Sequence, residues 1–149
     1  MRGANFWYNE AMTKISFSTK TAIVLASGLL PWQELNVTAF LSSAIANQFP
    51  ETMGKDFEDA SGVNYLGIFR QPVMIFQASP QELKSLYQKA RKRGLSIGIY
   101  TREIFRTQGD ENLETVAEFR EGEHDYVGLV IYGKKSPVDK VLKSIKLHK

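Results

Sequence analysis

Short uninterrupted apolar runs alternate along this chain with stretches in which apolar residues return every third or fourth position. Thr21–Ala26 is the first run, and its β-branched character suits a strand buried on both faces. Ser27 to Pro31 breaks it. From Leu35 to Phe49, residues Val37, Phe40, Leu41, Ala44, Ile45 and Phe49 fall at helical spacing, and Pro50 stops the helix. Pro72–Phe76 predicts a second strand. Ser79-Pro80-Gln81-Glu82 then reads as a capping box, with Ser79 as N-cap, Pro80 at the first helical position and Glu82 reaching back. Leu83, Leu86, Tyr87 and Ala90 form the buried stripe of that helix, and Gly94 ends it. Leu95–Tyr100 predicts the third strand. Asp110 or Asn112 opens a helix running to about Arg120, with Leu113, Val116 and Ala117 inward. Tyr126–Tyr132 is the fourth strand. Ser136-Pro137-Val138-Asp139 repeats the cap pattern ahead of Val138, Val141, Leu142 and Ile145.

The segment 51–71 lacks such a pattern. It carries Gly54, Gly62 and Gly67, with a short strand expected near Tyr65–Phe69. A loop of that length in a compact domain is usually functional or partly structured. Strands alternating with helices predict an α/β fold with helices on both faces of a small mixed, mostly parallel sheet of about four strands. The pattern gives one domain over 20–149, preceded by a loose extension over 1–19. In that extension Met12 offers a second start.

Composition narrows the chemistry. No cysteine is present, which excludes disulfides, thiolate metal sites and a Cys nucleophile and fits a reducing, cytoplasmic compartment. No apolar run approaches the roughly 20 residues that span a bilayer, and Met1–Met12 lacks a signal peptide's apolar centre. No membrane partner is expected. The net charge of +3 is unevenly spread. Lys84, Lys89, Arg91, Lys92 and Arg93 form one basic cluster, and a second lies between Lys134 and Lys149. The stretch from Asp110 to Asp125 is acidic. Basic clusters can meet the phosphates of RNA, or they can be solvated helix faces. With only His124 and His148, a His-rich metal site is excluded. No Gly-x-Gly-x-x-Gly turn, phosphate loop or Gly-x-Ser-x-Gly elbow is present. Neither a metal nor a cofactor is expected.

What remains is a set of polar residues at strand ends, where α/β folds build their sites. Trp32, Gln33, Glu34 and Asn36 follow the first strand. Thr101, Arg102, Glu103, Arg106 and Thr107 follow the third, and Asp59 lies in the long loop. Each also has a structural reading. Asn36 and Glu34 can serve the helix start, Glu103 and Arg106 can pair as exposed ions, and Asp59 can form a turn before Gly62. Taken as a pocket, Glu103, Thr107 and Asn36 are the catalytic candidates, and Thr101, Asp59, Gln33 and Arg106 the binding candidates. Crowding and partial burial there would raise the pKa of Glu103 or Asp59.

The run Pro31-Trp-Gln-Glu-Leu-Asn-Val-Thr-Ala-Phe40 resembles an uncharacterised bacterial family, domain of unknown function 2000. Met53-Gly-Lys-Asp56 with Asp59-Ala-Ser-Gly62, Thr101–Thr107, and Tyr132-Gly133 with Val138-Asp-Lys140 carry the same resemblance, spanning roughly Lys20 to Leu147. That family is similar in fold to type II peptidyl-tRNA hydrolase, which implies a three-layer α/β/α architecture. The hydrolase's first motif, Gly-Lys-x-Ala-Ala-Gln, compares with Leu35–Phe40, and Asn36 stands where the hydrolase has its lysine. Its second motif, Asp-Ala-Gly-Arg-Thr-Gln, compares with Glu103–Gln108, so that Arg106, Thr107 and Gln108 match and Glu103 replaces the Asp. An Asn supplies no cation to a phosphate or an oxyanion. Three readings follow. One is a hydrolase-like enzyme on an ester or amide, with Glu103 activating water and Thr101, Thr107 and Asn36 orienting it. The second is a non-catalytic binding module for RNA or a small polar ligand. The third is a partner protein working through an exposed face, a homodimer among its forms.

Overall fold

Two successive passes of the chain set the architecture: β1 (Thr19–Ala26) runs up one sheet, and α1 (Pro31–Gln48) runs back across its face. The computed structural model describes residues 16–149, so most of the expected N-terminal extension, Met12 included, lies outside the described residues. A short 3-10 turn, Pro50–Thr52, leads from α1 into a small hairpin of β2 (Phe57–Glu58) and β3 (Asn64–Tyr65). Then come β4 (Val73–Ala78), α2 (Pro80–Lys92), β5 (Ser96–Thr101), a second 3-10 turn at Arg102–Arg106, α3 (Glu111–Ala117), β6 (Tyr126–Lys134), α4 (Lys135–Leu142) and β7 (Lys146–Leu147). Among the described residues no helix is long and apolar enough to cross a membrane.

The main sheet has five strands in the order β5-β6-β1-β4-β7. Only β1 and β4 pair in parallel, and the other three pairings are antiparallel. This corrects the expectation of a mostly parallel, four-stranded sheet. A parallel connection needs a helix that crosses the whole sheet. The segment after β5 supplies only α3, seven residues with none buried, so the chain turns back at the same end and β6 descends between β5 and β1. β7, two residues long, is too short to leave a periodic signal.

The layers are fixed by which side chains the sheet admits. A Cβ at Gly128 would stand 2.5 Å from Val37 and 3.1 Å from Leu41, so α1 lies directly on β6 and needs glycine beneath it. At Gly98 the same face meets Ala44 and Leu41. α2 and α4 pack against each other and against the opposite face of the sheet. Ile23, Val24, Val37, Leu83, Leu86, Leu129, Val130, Ile131 and Val138 are fully buried between these layers. Each contributes on the order of 1.5–3 kcal/mol of apolar burial.

The Ser79 box forms as its sequence predicts. Glu82 N donates to Ser79 Oγ (3.2 Å), and Ser79 N donates to Glu82 Oε1 (3.0 Å). Ser136 does not repeat it. α4 starts at Lys135 straight out of β6, with no side-chain cap. The Lys135 N–H donates to the Ser18 carbonyl (3.0 Å), which carries the β1–β6 ladder into the first residue of α4.

Candidate functional site

β5 and β1 both run antiparallel to β6, so they share a direction, and with β4 their C-terminal ends form one rim despite the mixed sheet. α1 leaves that rim and passes over β6 and β5. Its second turn therefore reaches the end of β5, where Asn36 Nδ2 donates to the Tyr100 hydroxyl at 3.3 Å. Burial pushes the Tyr100 phenol up, and the Asn36 hydrogen bond works against that rise. Three aromatic rings surround the pair. Phe40 meets Tyr100 edge-on at 5.8 Å, Phe105 lies 5.0 Å from Tyr100, and Trp32 meets Phe105 at 5.8 Å. Trp32 is 57 % and Phe40 50 % exposed, so the cluster presents faces to solvent. Thr101 is buried at the end of β5 opposite Tyr126.

The remaining candidates divide. Glu103 is half-buried in the 3-10 turn that carries Phe105, and it makes no hydrogen bond or ion pair among the described residues. Arg106 is exposed, and no Glu103–Arg106 pair forms among the described residues. Thr107 donates its hydroxyl to Asn112 Oδ1 (2.5 Å), closing the turn ahead of α3. Gln33 Oε1 accepts from the Leu30 N–H (2.9 Å) and so serves the start of α1. Glu34 has a different role: it meets His148 Nε2 at 2.8 Å and ties the C-terminal tail to α1.

Asp59 lies elsewhere. α1 runs back along the sheet until Phe49 packs on Tyr132, 4.3 Å between rings, beside the beginning of β1. The segment 51–71 starts there and feeds the beginning of β4. The hairpin therefore belongs to the rim opposite Asn36. Asp59 accepts from Ser61 N (2.9 Å), Val63 N (3.0 Å) and the Tyr65 hydroxyl (3.0 Å). These bonds, that from Val63 foremost, hold its carboxyl below the usual range, the reverse of the expected rise.

A concavity away from that rim is not legible in the sequence. On the α2 side of β5 lies a cleft of about 510 Å³, lined by Tyr87, Arg91, Leu95, Ile97, Ile99, Glu121, His124 and Tyr126. Tyr87 Oη and Arg91 Nε both donate to Glu121 Oε1, at 2.9 and 3.0 Å. The Tyr87 and Tyr126 rings stack at 5.1 Å. Burial, reinforced by Tyr87 and Glu121, pushes the Tyr126 phenol up to about 12. His124 is 8 % exposed, and its Nδ1 is buried without a partner among the described residues. An unsatisfied group of this kind costs about 1–3 kcal/mol. The one sequence signal is Tyr87 and Arg91 four apart on a helix, a spacing that equally suits a core tyrosine beside a charged face.

The geometry has counterparts among known proteins. The chain is similar to a solved structure of a protein of unknown function from Agrobacterium tumefaciens strain C58. The two share 32 % identity and a TM-score of 0.86, over 90 % of this chain and all of that one. No curated protein matches. A family model described as a protein of unknown function, DUF2000, matches residues 19–149, from the first residue of β1 to the last of the chain, and the chain belongs to that family.

Proposed function

We propose that this protein is a binding module that holds a small polar ligand with a flat ring at the rim formed by β1, β5 and the first turns of α1. The observation that carries this reading is the Asn36–Tyr100 hydrogen bond set among the half-exposed rings of Trp32 and Phe40. An aromatic face offers stacking, and an amide beside a phenol offers both a donor and an acceptor to the polar edge of a ring. The same geometry argues against hydrolysis. Asn36 supplies no cation, Thr107 spends its hydroxyl on Asn112, and Glu103 alone is left as an acid–base group. On this reading the likeness to type II peptidyl-tRNA hydrolase is one of architecture, helices on both faces of a small sheet, without the hydrolase's chemistry. RNA is the weaker form of the ligand. The basic cluster of Lys84, Lys89 and Arg91 lies on α2, across the sheet from α1, and Arg91 is engaged by Glu121.

The test is fluorescence titration of Trp32 with nucleosides, in a Trp7→Phe background so that one indole reports. Saturable quenching is expected, weakened about tenfold by Asn36→Ala, which removes one hydrogen bond to the ligand. Filter binding of bulk tRNA is expected to show no retention even at low salt. Quenching indifferent to Asn36→Ala, or turnover of an ester or amide that Glu103→Gln abolishes, would overturn the proposal.

A further inference from the structure

The main sheet ends in two very different edges. β7 closes one edge with only two residues, one of them Lys146, which is how soluble proteins discourage edge-to-edge pairing. β5 closes the other with six residues, Ser96-Ile-Gly-Ile-Tyr-Thr101, none charged and none proline. Among the described residues its only strand partner is β6. Ser96 is exposed, and Ile97, Gly98 and Ile99 are half-exposed. The flank of this edge on the α1 side is also uncharged. Phe40, Ser43 and Ala44 are exposed there, and Ala44 lies 3.6 Å from the Cβ position of Gly98. On the other flank the Arg91–Glu121 pair cancels its own charge.

We infer that β5 is the dimer interface of this protein, pairing antiparallel with β5 of a second copy to form one continuous ten-stranded sheet. The sequence is self-complementary for that arrangement. With Gly98 on the two-fold axis, Ile97 of each copy stands opposite Ile99 of the other. Both are β-branched and lie on the cleft side of the sheet, the kind of cross-strand pair that stabilises antiparallel strands. Gly98 keeps the axis free of side chains on the α1 side, where a Cβ would already strike Val130 at 2.6 Å. A peptide of another protein would pair as an edge strand equally well. The palindrome about Gly98 and the absence of net charge on both flanks favour a second copy. The inference does not rest on the proposed rim ligand, and the interface shares Phe40 and Tyr100 with that site.

The test is sedimentation of the full-length protein from micromolar to high micromolar concentration, with hydrogen exchange of the same samples. The wild type is expected to be a dimer whose β5 amides lose protection as dilution dissociates it. Ser96→Lys and Ile99→Lys are each expected to weaken self-association by about tenfold or more, because each places a cation from both copies along one uncharged paired edge. Ser96 is exposed, so that variant keeps its fold whether or not Ile99→Lys does. Leu35→Lys, on the exposed face of α1 away from the edge, is expected to leave the dimer intact. A wild type that stays monomeric throughout overturns the inference. So does a dimer that survives Ser96→Lys, one that Leu35→Lys dissociates, or β5 protection that is indifferent to dilution.

Discussion

Gly128→Ala tests the joint between the fold and the rim. The new Cβ would stand 2.5 Å from Val37 Cγ1 and 3.1 Å from Leu41 Cδ1, both on α1, and both residues are buried. No side chain at this position can rotate away, because the clash begins at Cβ itself, so either Val37 leaves the one rotamer that a helix favours or α1 lifts off β6. Overpacking of this kind costs about 1–3 kcal/mol. For a domain of this size each kcal/mol lowers the melting temperature by roughly 2–4 °C. Asn36 precedes Val37 on the same helix, and its bond to Tyr100 is already 3.3 Å long. A small lift breaks it, so if α1 moves, ligand affinity at the rim should fall with stability. Val37→Ala removes the offending methyl and by itself costs about 2 kcal/mol of burial and packing. If the two changes acted independently, the double variant would lose about 4 kcal/mol, whereas a shared clash limits the loss to about 2–3. Urea unfolding followed by circular dichroism gives all four corners of the cycle. Additive losses, or a Gly128→Ala variant within about 0.5 kcal/mol of wild type, would refute the packing of α1 on β6.

Ser79→Ala should cost about 1 kcal/mol in urea unfolding at neutral pH, through loss of the α2 cap. The same box holds the Glu82 carboxyl below its usual range, chiefly through the Ser79 backbone bond. That contribution is present above the ordinary carboxylate pKa and fades as pH falls through the lowered folded value, so Glu82→Gln should matter less in acid than at neutral pH. An effect that is the same at both ends would remove Glu82 from the cap. His148 acts at the other end of the range. Its imidazole is pushed up by the Lys149 carbonyl foremost and by Glu34, so its contribution is complete below about pH 6.5 and is lost as pH rises through the raised folded value. His148→Gln should therefore flatten the stability difference between about pH 6 and pH 8, and an unchanged difference would remove His148 as its source. Glu103→Gln should leave the unfolding midpoint nearly unchanged, because the carboxylate has no partner to lose among the described residues. A fall of several degrees in a thermal melt would reveal a partner and make Glu103 structural.

Much of the fold is legible in the sequence because its signals are local. β1, β4, β5 and β6 are apolar runs, and the Ser79 box lies within four residues. The strand order is not legible, because it depends on whether the segment after β5 crosses the sheet, and nothing in the α3 sequence says that none of its residues is buried. Ser136 misleads for a similar reason: β6 runs straight into α4, so the helix begins at Lys135, ahead of the serine, and the Lys135 N–H is taken by Ser18, far away in sequence. At the rim, strand direction alone brings Asn36 and Glu103 to one end, while Thr101, next to Tyr100 and paired with Tyr126, is turned to the α2 face. Tyr100 reads from sequence only as the last residue of a strand, and its bond to Asn36 spans 64 positions. Asp59 parts from them because the direction of α1, and with it the end at which the long loop begins, is a property of packing.

One irregularity explains why the end of β5 serves both the aromatic rim and the cleft on the other face of the sheet. Tyr100 pairs with Gly128, but Thr101 pairs with Tyr126, so Val127 is an extra residue in β6. Side chains alternate along a strand, and in a regular ladder Tyr126 would share the face of Gly128, which lies under α1. The bulge turns Tyr126 to the other face, where it stacks on Tyr87 of α2. Tyr100 stays beneath α1 with Asn36 and Phe40. Two neighbouring tyrosines are thus sent to opposite faces of the sheet at the same strand end, one to the aromatic rim and one to the cleft beside His124. Without the extra residue both phenols would compete for the space under α1, and the cleft would lose the ring that stacks on Tyr87.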